Sequence, residues 1–265
     1  MKRIAVFGIC GRMGVSITGE LLKEKDLELV GGFDKFNVGE DIGKIIGTAE
    51  VGKKIYATYD EIKKLNPELI IDFTGADIVY QTINWAIDNG IDILVGTTGL
   101  QKEELASIKR KASGLKSKIF IVPNFSIGAV IMIKISGMLA KYFDNCEIIE
   151  LHHDKKKDAP SGTSIFTAEQ IYRSRIFNRD RLKKDESETL KAARGAFSDG
   201  IHIHSIRLPG VLAHQEVIFG TVGQTLTIKH DTIDRLSFYP GVILAIRSID
   251  RLKPYTYGLD KIIDL

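Results

Sequence analysis

Five short apolar runs recur through the first 125 residues, each followed by a stretch with helical spacing, and this alternation restricts the fold more than any other feature of the chain. The runs are "RIAVFG" (3–8), "LELVGGF" (27–33), "LIIDF" (69–73), "IDILVG" (91–96) and "KIFIVP" (118–123). They are rich in Ile, Val, Leu and Phe, as strands buried on both faces must be. Between them, residues 13–24, 59–65, 76–89 and 101–112 read as amphipathic helices. In the third of these, Ile78, Val79, Thr82, Ile83, Ala86 and Ile87 fall on one helical face. Strand and helix repeated in this order predict a parallel sheet with helices on both sides.

The pattern changes after Asn124. Residues 127–142 read as one helix, followed by a strand ending in "CEIIELHH" and a further helix over 162–175. The charge-rich stretch "RSRIFNRDRLKKDESETLKAARG" reads as a mobile loop or a short exposed helix. "IHIHSIRL", "HQEVIFG" and "QTLTIKH" alternate apolar and polar residues like antiparallel strands with one wet face, and a last helix is expected over 234–251. The expected architecture is α/β. A Rossmann-like, doubly wound parallel sheet forms an N-terminal dinucleotide-binding domain over 1–126. A smaller C-terminal α+β domain with an open mixed sheet spans 127–239. The tail, about 240–265, is expected to pack back on the first domain.

Bulk properties exclude several classes. A length of 265 residues suffices for one large or two ordinary domains, and 44% hydrophobic with 27% charged residues is ordinary for a globular chain. A net charge of +3 is too small for general nucleic-acid binding, so any basic patch must be local. Cys10 and Cys146 stand far apart, in no metal-ligand spacing, which predicts a reducing compartment and no disulfide framework, and no metal site is expected. The start "MKRIAVFG" lacks the pattern of a signal peptide. The most apolar run, "IGAVIMIKISGMLA", is broken by Lys134 and too short for a membrane span. A cytoplasmic protein without membrane contact is expected.

The first strand runs into "GICGRMG" (8–14). A glycine-rich turn between strand and helix brings backbone amides to a pyrophosphate, whose charge the helix N-terminus favours. The usual fingerprint has glycine at position 10 and a small residue at 13; Cys10 and Met13 stand there, with extra glycines at 11 and 14. A tight turn that merely packs helix on strand would look similar. Asp34, 20 positions past Gly14, lies about where an acidic residue grips the adenine ribose, and Lys35 beside it suits the extra phosphate of NADPH. Either cofactor, NADH or NADPH, fits this pair. "DFTG" (72–75), "GTTG" (96–99) and "PNFSIG" (123–128) each follow a predicted strand, at the sheet edge where ligands bind.

The densest constellation is "LHHDKKKDAPSGT" (151–163). On an extended strand His152 and His153 project to opposite faces. Lys156 lies just beyond, and Ser161 is a good N-cap for the next helix. The amides of Gly162, Thr163 and Ser164 would then stay free, and with the helix dipole and the lysines they make a carboxylate site. A solvated basic loop is the plainer alternative.

Together these residues resemble the dihydrodipicolinate reductase family. "HHDKKKDAPSGT" matches its signature H-H-x-x-K-x-D-A-P-S-G-T at every fixed position, and "GRMG", "DFT", "GTTG", "NFSIG" and "IHSIRLPG" follow the family's order. The resemblance implies hydride transfer from NADH or NADPH to a cyclic, unsaturated dicarboxylate in lysine and diaminopimelate biosynthesis, by a homotetramer, with 127–239 as the substrate-binding and oligomerisation domain. It implies His152 as general acid/base, Lys156 as partner proton donor, and His153, Gly162 and Thr163 as substrate contacts. Gly8, Ile9, Cys10, Gly11, Arg12, Met13, Asp34, Lys35, Gly96, Thr97, Thr98, Val122, Pro123, Asn124 and Phe125 fall at the cofactor positions. The chain departs from the pattern at Asp154 and Lys155 and in "LAHQEV", so His214 receives no role. Arg235 is a further candidate near the substrate. Competing readings are a two-domain dehydrogenase acting on an amino acid or semialdehyde, and a non-catalytic nucleotide sensor.

Overall fold

A computed structural model describes residues 1–177 and 186–265. The charge-rich stretch is therefore described at its two ends, 173–177 and 186–195, and residues 178–185 lie outside the described residues. The chain divides into two compact units, one of Met1–Phe125 with Phe238–Ile262, the other of Ser126–Ser237 with Ile263–Leu265.

The first unit begins with β1 (Lys2–Phe7), α1 (Arg12–Leu21), β2 (Leu27–Phe33), α2 (Ile42–Ile46), β3 (Ile55–Tyr56) and α3 (Tyr59–Lys64). It continues through β4 (Leu69–Asp72), α4 (Val79–Asp88), β5 (Asp92–Val95), α5 (Lys102–Lys111) and β6 (Ile119–Ile121). Local chemistry sets the helix starts. Thr58 and Glu61 form a reciprocal capping box on α3, and Asp41 caps α2 while its carboxylate also gathers the Val51 and Gly52 amides. The second unit contributes α6 (Ile127–Leu139), β7 (Asn145–His152), α7 (Gly162–Ser174), β8 (Ala196–Ser198), β9 (Ile201–Arg207), β10 (Ala213–Thr221) and β11 (Gln224–Thr232). The chain then returns to the first unit with α8 (Tyr239–Ser248) and β12 (Tyr255–Tyr257).

In the first unit seven parallel strands stand in the order β12-β6-β5-β4-β1-β2-β3. The order reverses between β1 and β4, and in such a sheet the ligand crevice opens at that point, beyond the carboxyl ends of the strands. Ala5, Phe7, Ile70, Ile93, Val95 and Ile119 make the centre of its core, with Val79, Ile83 and Ala86 of α4 packed on them. The residues expected to be helix from 76 and 234 start later: α4 begins at Val79, and the last helix is split into a 3-10 turn (Arg235–Phe238), α8, and a second 3-10 turn (Ile249–Arg251). Pro240 at the start of α8 explains its boundary, since proline suits a first helical turn and cannot continue a preceding one.

The second unit's sheet runs β11-β10-β7-β9-β8. The expectation of antiparallel partners holds for β10 and β11, and for β9 on its β8 edge, but on its other edge β9 pairs with β7 in parallel. The chain between them passes through α7, and a crossover of that length returns a strand in the same direction. Cys146, Ile148, Phe219, Val217 and Ile203 turn inward against Met132 and Ile133 of α6 and Ala168 and Ile171 of α7. The opposite pattern marks β11, most of whose residues are exposed.

Candidate active site

The glycine turn joins β1 to α1. Gly8 has φ +74°, a left-handed conformation that favours glycine, and a Cβ there would sit 2.5 Å from the Phe73 carbonyl oxygen. Gly11 is the N-cap of α1 and is exposed, and no side chain caps the helix. Gly14, one turn into α1, lies so close to the Gly8 carbonyl that any Cβ would collide with it. Two tasks of the usual fingerprint, the tight turn and helix-on-strand packing, thus fall to Gly8 and Gly14, with Gly11 between them at the N-cap. Ile9 is fully buried against Gly32, Arg12 is exposed and Met13 half-buried.

The Cys10 side chain meets the loop that follows β2. Its Sγ lies 3.5 Å from the Phe36 carbonyl and from Asn37 Nδ2, and burial, with the Asp34 charge adding, pushes the thiol pKa up. The Cys10 N–H donates to Asp34 Oδ2 at 3.0 Å, and the Phe36 N–H to Asp34 Oδ1 at 3.1 Å. Asp34 therefore ties the end of β2 to the glycine turn. Lys35 is exposed, its ammonium 5.3 Å from the centre of the Phe36 ring.

The residues after β4, β5 and β6 gather at one sheet edge. Asp72 closes β4 with a fully buried carboxylate that accepts from the Thr97 hydroxyl at 2.6 Å and from the Thr74 N–H and hydroxyl. Burial pushes its pKa up, and the threonine hydrogen bonds only partly offset that. Gly96 lies against the Phe73 and Phe125 rings, which meet edge to face. Thr98 and Pro123 are exposed, Asn124 is half-buried, and Val122 and Phe125 belong to the interior. Backbone and hydroxyl groups at this edge, with the bare N-terminus of α1, fit a dinucleotide; the buried Ile9, Val122 and Phe125 can shape such a site only by packing and through their backbone.

In the second unit, strand alternation places Glu150 and His152 on the same face of β7, while His153 falls beyond the strand's end. Glu150 is fully buried. Its Oε2 lies 2.5 Å from His152 Nδ1, and Arg207 of β9 grips both carboxylate oxygens at 2.9 Å. The Ser161 N–H donates to Oε1 at 3.2 Å. Arg207 also donates to the Asp158 carbonyl at 2.7 Å. The Asp158 carboxylate in turn receives two hydrogen bonds from Lys156 Nζ, at 2.7 and 2.8 Å. Burial lowers the His152 pKa; Lys156 and Arg207 push the same way, and Glu150 opposes them. Burial by itself would raise the Glu150 pKa, but Arg207, Ser205 and His152 outweigh it and hold the carboxyl below its usual range.

Ser161 caps α7, its hydroxyl accepting from the Ser164 N–H at 3.1 Å. The expectation of three free amides is therefore corrected: the cap occupies the Ser164 N–H, and Gly162 and Thr163 are left. Gly162 is exposed and Thr163 half-buried. His152, Lys156 and the start of α7 are thus joined through two carboxylates, Glu150 and Asp158, and the Arg207 guanidinium between them. Sequence reasoning passed over Glu150, Arg207 and Asp158. Glu150 was detectable, as an acid two positions before His152 among inward-facing Cys146 and Ile148. Arg207 was not, because only the parallel pairing of β7 with β9 places it opposite His152.

A doubly wound parallel sheet with a glycine turn, joined to a unit that carries cationic side chains around a helix start, defines a two-unit oxidoreductase of the dinucleotide-binding class. Comparison narrows this. The family model described as "Dihydrodipicolinate reductase, N-terminus" matches residues 2–125 and its C-terminal counterpart matches 128–263. The chain belongs to the dihydrodipicolinate reductase family. It is 43% identical over 263 residues to the 4-hydroxy-tetrahydrodipicolinate reductase of Listeria welshimeri serovar 6b, covering 99% of this chain and 100% of that one. Identity to the enzyme of the same name from Dictyoglomus turgidum is 43% over 266 residues, covering 100% and 98%. Among solved structures, a dipicolinate-bound dihydrodipicolinate reductase from Paenisporosarcina sp. TG-14 superposes with a TM-score of 0.89 at 36% identity, covering 99% of this chain and 100% of that one. An amine dehydrogenase from Mycobacterium smegmatis, at 11% identity and TM-score 0.69, shares the fold alone.

Proposed function

We propose that the protein reduces 4-hydroxy-tetrahydrodipicolinate to tetrahydrodipicolinate with NADH or NADPH, a step of lysine and diaminopimelate biosynthesis. The observation that carries this reading is the hydrogen-bonded set of His152, Glu150, Arg207, Asp158 and Lys156 beside the α7 N-terminus, on the family's own signature. A reduced nicotinamide supplies the hydride when bound. Gly8 to Met13 and the N-terminus of α1 would hold the pyrophosphate, Asp34 and Lys35 would serve the adenine ribose, and residues 96–98 and 122–125 would complete the cofactor site. One substrate carboxylate rests on the Gly162 and Thr163 amides, where the helix dipole favours negative charge, and His153 is a second contact.

The substrate's hydroxyl departs with a proton from the neighbouring ring carbon, together as water, leaving a conjugated imine. Hydride addition pushes an electron pair onto a ring carbon, and His152, charged, gives that carbon a proton. Lys156 is the partner donor, and its positive charge also balances the dicarboxylate. Hydride and proton together account for the two hydrogens gained. General acid help of this kind is worth about two to four powers of ten in rate. His152→Ala and Lys156→Ala are each expected to lose most turnover, read as consumption of reduced nicotinamide, while NADH binding by calorimetry is kept. Near-normal rates in both variants would reject the assigned roles.

A homotetramer formed through the second unit's sheet is part of the same proposal. It is supported by the exposed edge strand β11 and by Val222 and Ile233 beside it, 96% and 86% exposed.

A further inference from the structure

We propose that Glu150, held by Arg207, is a positioning residue for His152: it fixes the imidazole in the tautomer that carries its hydrogen on Nδ1 and so leaves Nε2 as the atom that gives up the proton. This deepens the reading of His152 as the general acid and rests on it. A neutral imidazole has one N–H, and the partner of one ring nitrogen decides where it sits. His152 Nδ1 lies 2.5 Å from Glu150 Oε2, and a carboxylate with a lowered pKa can only accept. Nδ1 must therefore be the donor, in both the charged and the neutral ring. Loss of the catalytic proton then comes from Nε2.

The carboxylate has no freedom to do otherwise. It is fully buried, both oxygens are gripped by Arg207 at 2.9 Å, and the Ser161 N–H fixes Oε1. A buried charge is tolerated only when paired and hydrogen-bonded, and Arg207 supplies the pairing from β9. The guanidinium also reaches the Asp158 carbonyl, next to the side chain that holds Lys156. The same carboxylate thus registers the histidine, the loop of the lysine and the cap of α7. The charged groups around the imidazole are Glu150 on its own strand, Arg207 on β9, and Lys156 with its partner Asp158 in the following loop. Only Glu150 among those acting directly on the ring favours the imidazolium. Its neutralisation must make the ring harder to protonate.

The test compares Glu150→Gln and Glu150→Asp with His152→Ala in the full chain. Glu150→Gln is expected to lower kcat about ten- to a hundredfold, the cost typical of losing the partner that orients a working histidine, with KM little changed. The falling high-pH limb of the rate profile should move to lower pH. Glu150→Asp, which keeps the charge, should restore the position of that limb, a shift that mere loosening of the fold does not produce. Should Glu150→Gln fail to fold, nitrogen-15 spectra of the unmutated protein decide: neutral His152 must carry its hydrogen on Nδ1. A hydrogen on Nε2 overturns the proposal, as does an unchanged kcat and pH limb in Glu150→Gln when His152→Ala is inactive. Normal turnover in His152→Ala instead rejects the acid role itself, and the spectra tell the two failures apart because they do not depend on turnover.

Discussion

Four nitrogen atoms reach the Glu150 carboxylate, from His152, Ser161 and both arms of Arg207. Taking such a charge out of water costs several kcal/mol, and only partners of this quality offset it. The consequence for His152 is a balance between burial, which lowers its pKa, and Glu150, which raises it; burial prevails. Because the proposed acid works from the charged ring, kcat/KM is expected to fall as pH rises, with an apparent pKa below the ordinary histidine value of about 6.5. A pH profile in which kcat/KM climbs through that region would contradict the assignment. At Asp34 the inference concerns geometry as well as charge: its Oδ2 already receives the Cys10 N–H. Asp34→Ala is therefore expected to weaken NADH and NADPH alike by loosening the glycine turn, besides removing the proposed ribose contact. Dissociation constants for the two nucleotides measure both effects.

Two elements owe their placement to single residues. α1 can approach β1 only because position 14 lacks a side chain. Gly14→Ala is expected to cost about 1–3 kcal/mol, the usual penalty of overpacking, and to weaken cofactor binding; chemical denaturation and calorimetry read the two losses. The ends of β4 and β5 are fastened by Asp72 through Thr97. With its folded pKa raised above the unfolded one, Asp72 binds a proton more tightly in the native state, so its contribution is fully present below the unfolded pKa and is lost as pH rises through the folded pKa. Melting of Asp72→Asn across pH is expected to show the variant gaining on the parent as pH rises. Long periodic elements such as α6, α7 and the central strands were legible because their apolar spacing is intrinsic to the sequence. α2, β3 and β12 were not: at two to five residues they carry too little periodicity, and β12 exists only through its pairing with β6. The parallel direction of β9 was hidden for the same reason, and with it Arg207.

At the scale of the whole chain, the site residues named from the sequence fall into two groups, the glycine turn and sheet edge of the first unit and the His152–Lys156 cluster of the second. The signature made the cluster legible; of its supports, Glu150 stands two positions before His152 in the sequence, whereas Arg207 came from tertiary pairing. Asp34 beside Lys35 leads us to expect use of both nucleotides, with dissociation constants within about a hundredfold, near 2.7 kcal/mol. Sedimentation is expected to show four chains assembled, and replacing Ile233 and Val222 by charged residues should weaken that assembly if the proposed β11 face carries it. Dipicolinate, an unreactive aromatic analogue, should raise the melting temperature, since a ligand of the native state stabilises it by mass action. The most direct measurement is a crystal structure with reduced nucleotide and dipicolinate bound. We expect one ring carboxylate on the Gly162 and Thr163 amides, with His152 Nε2 and Lys156 Nζ turned to the ring. A ring bound elsewhere, with both side chains facing solvent, would contradict the account.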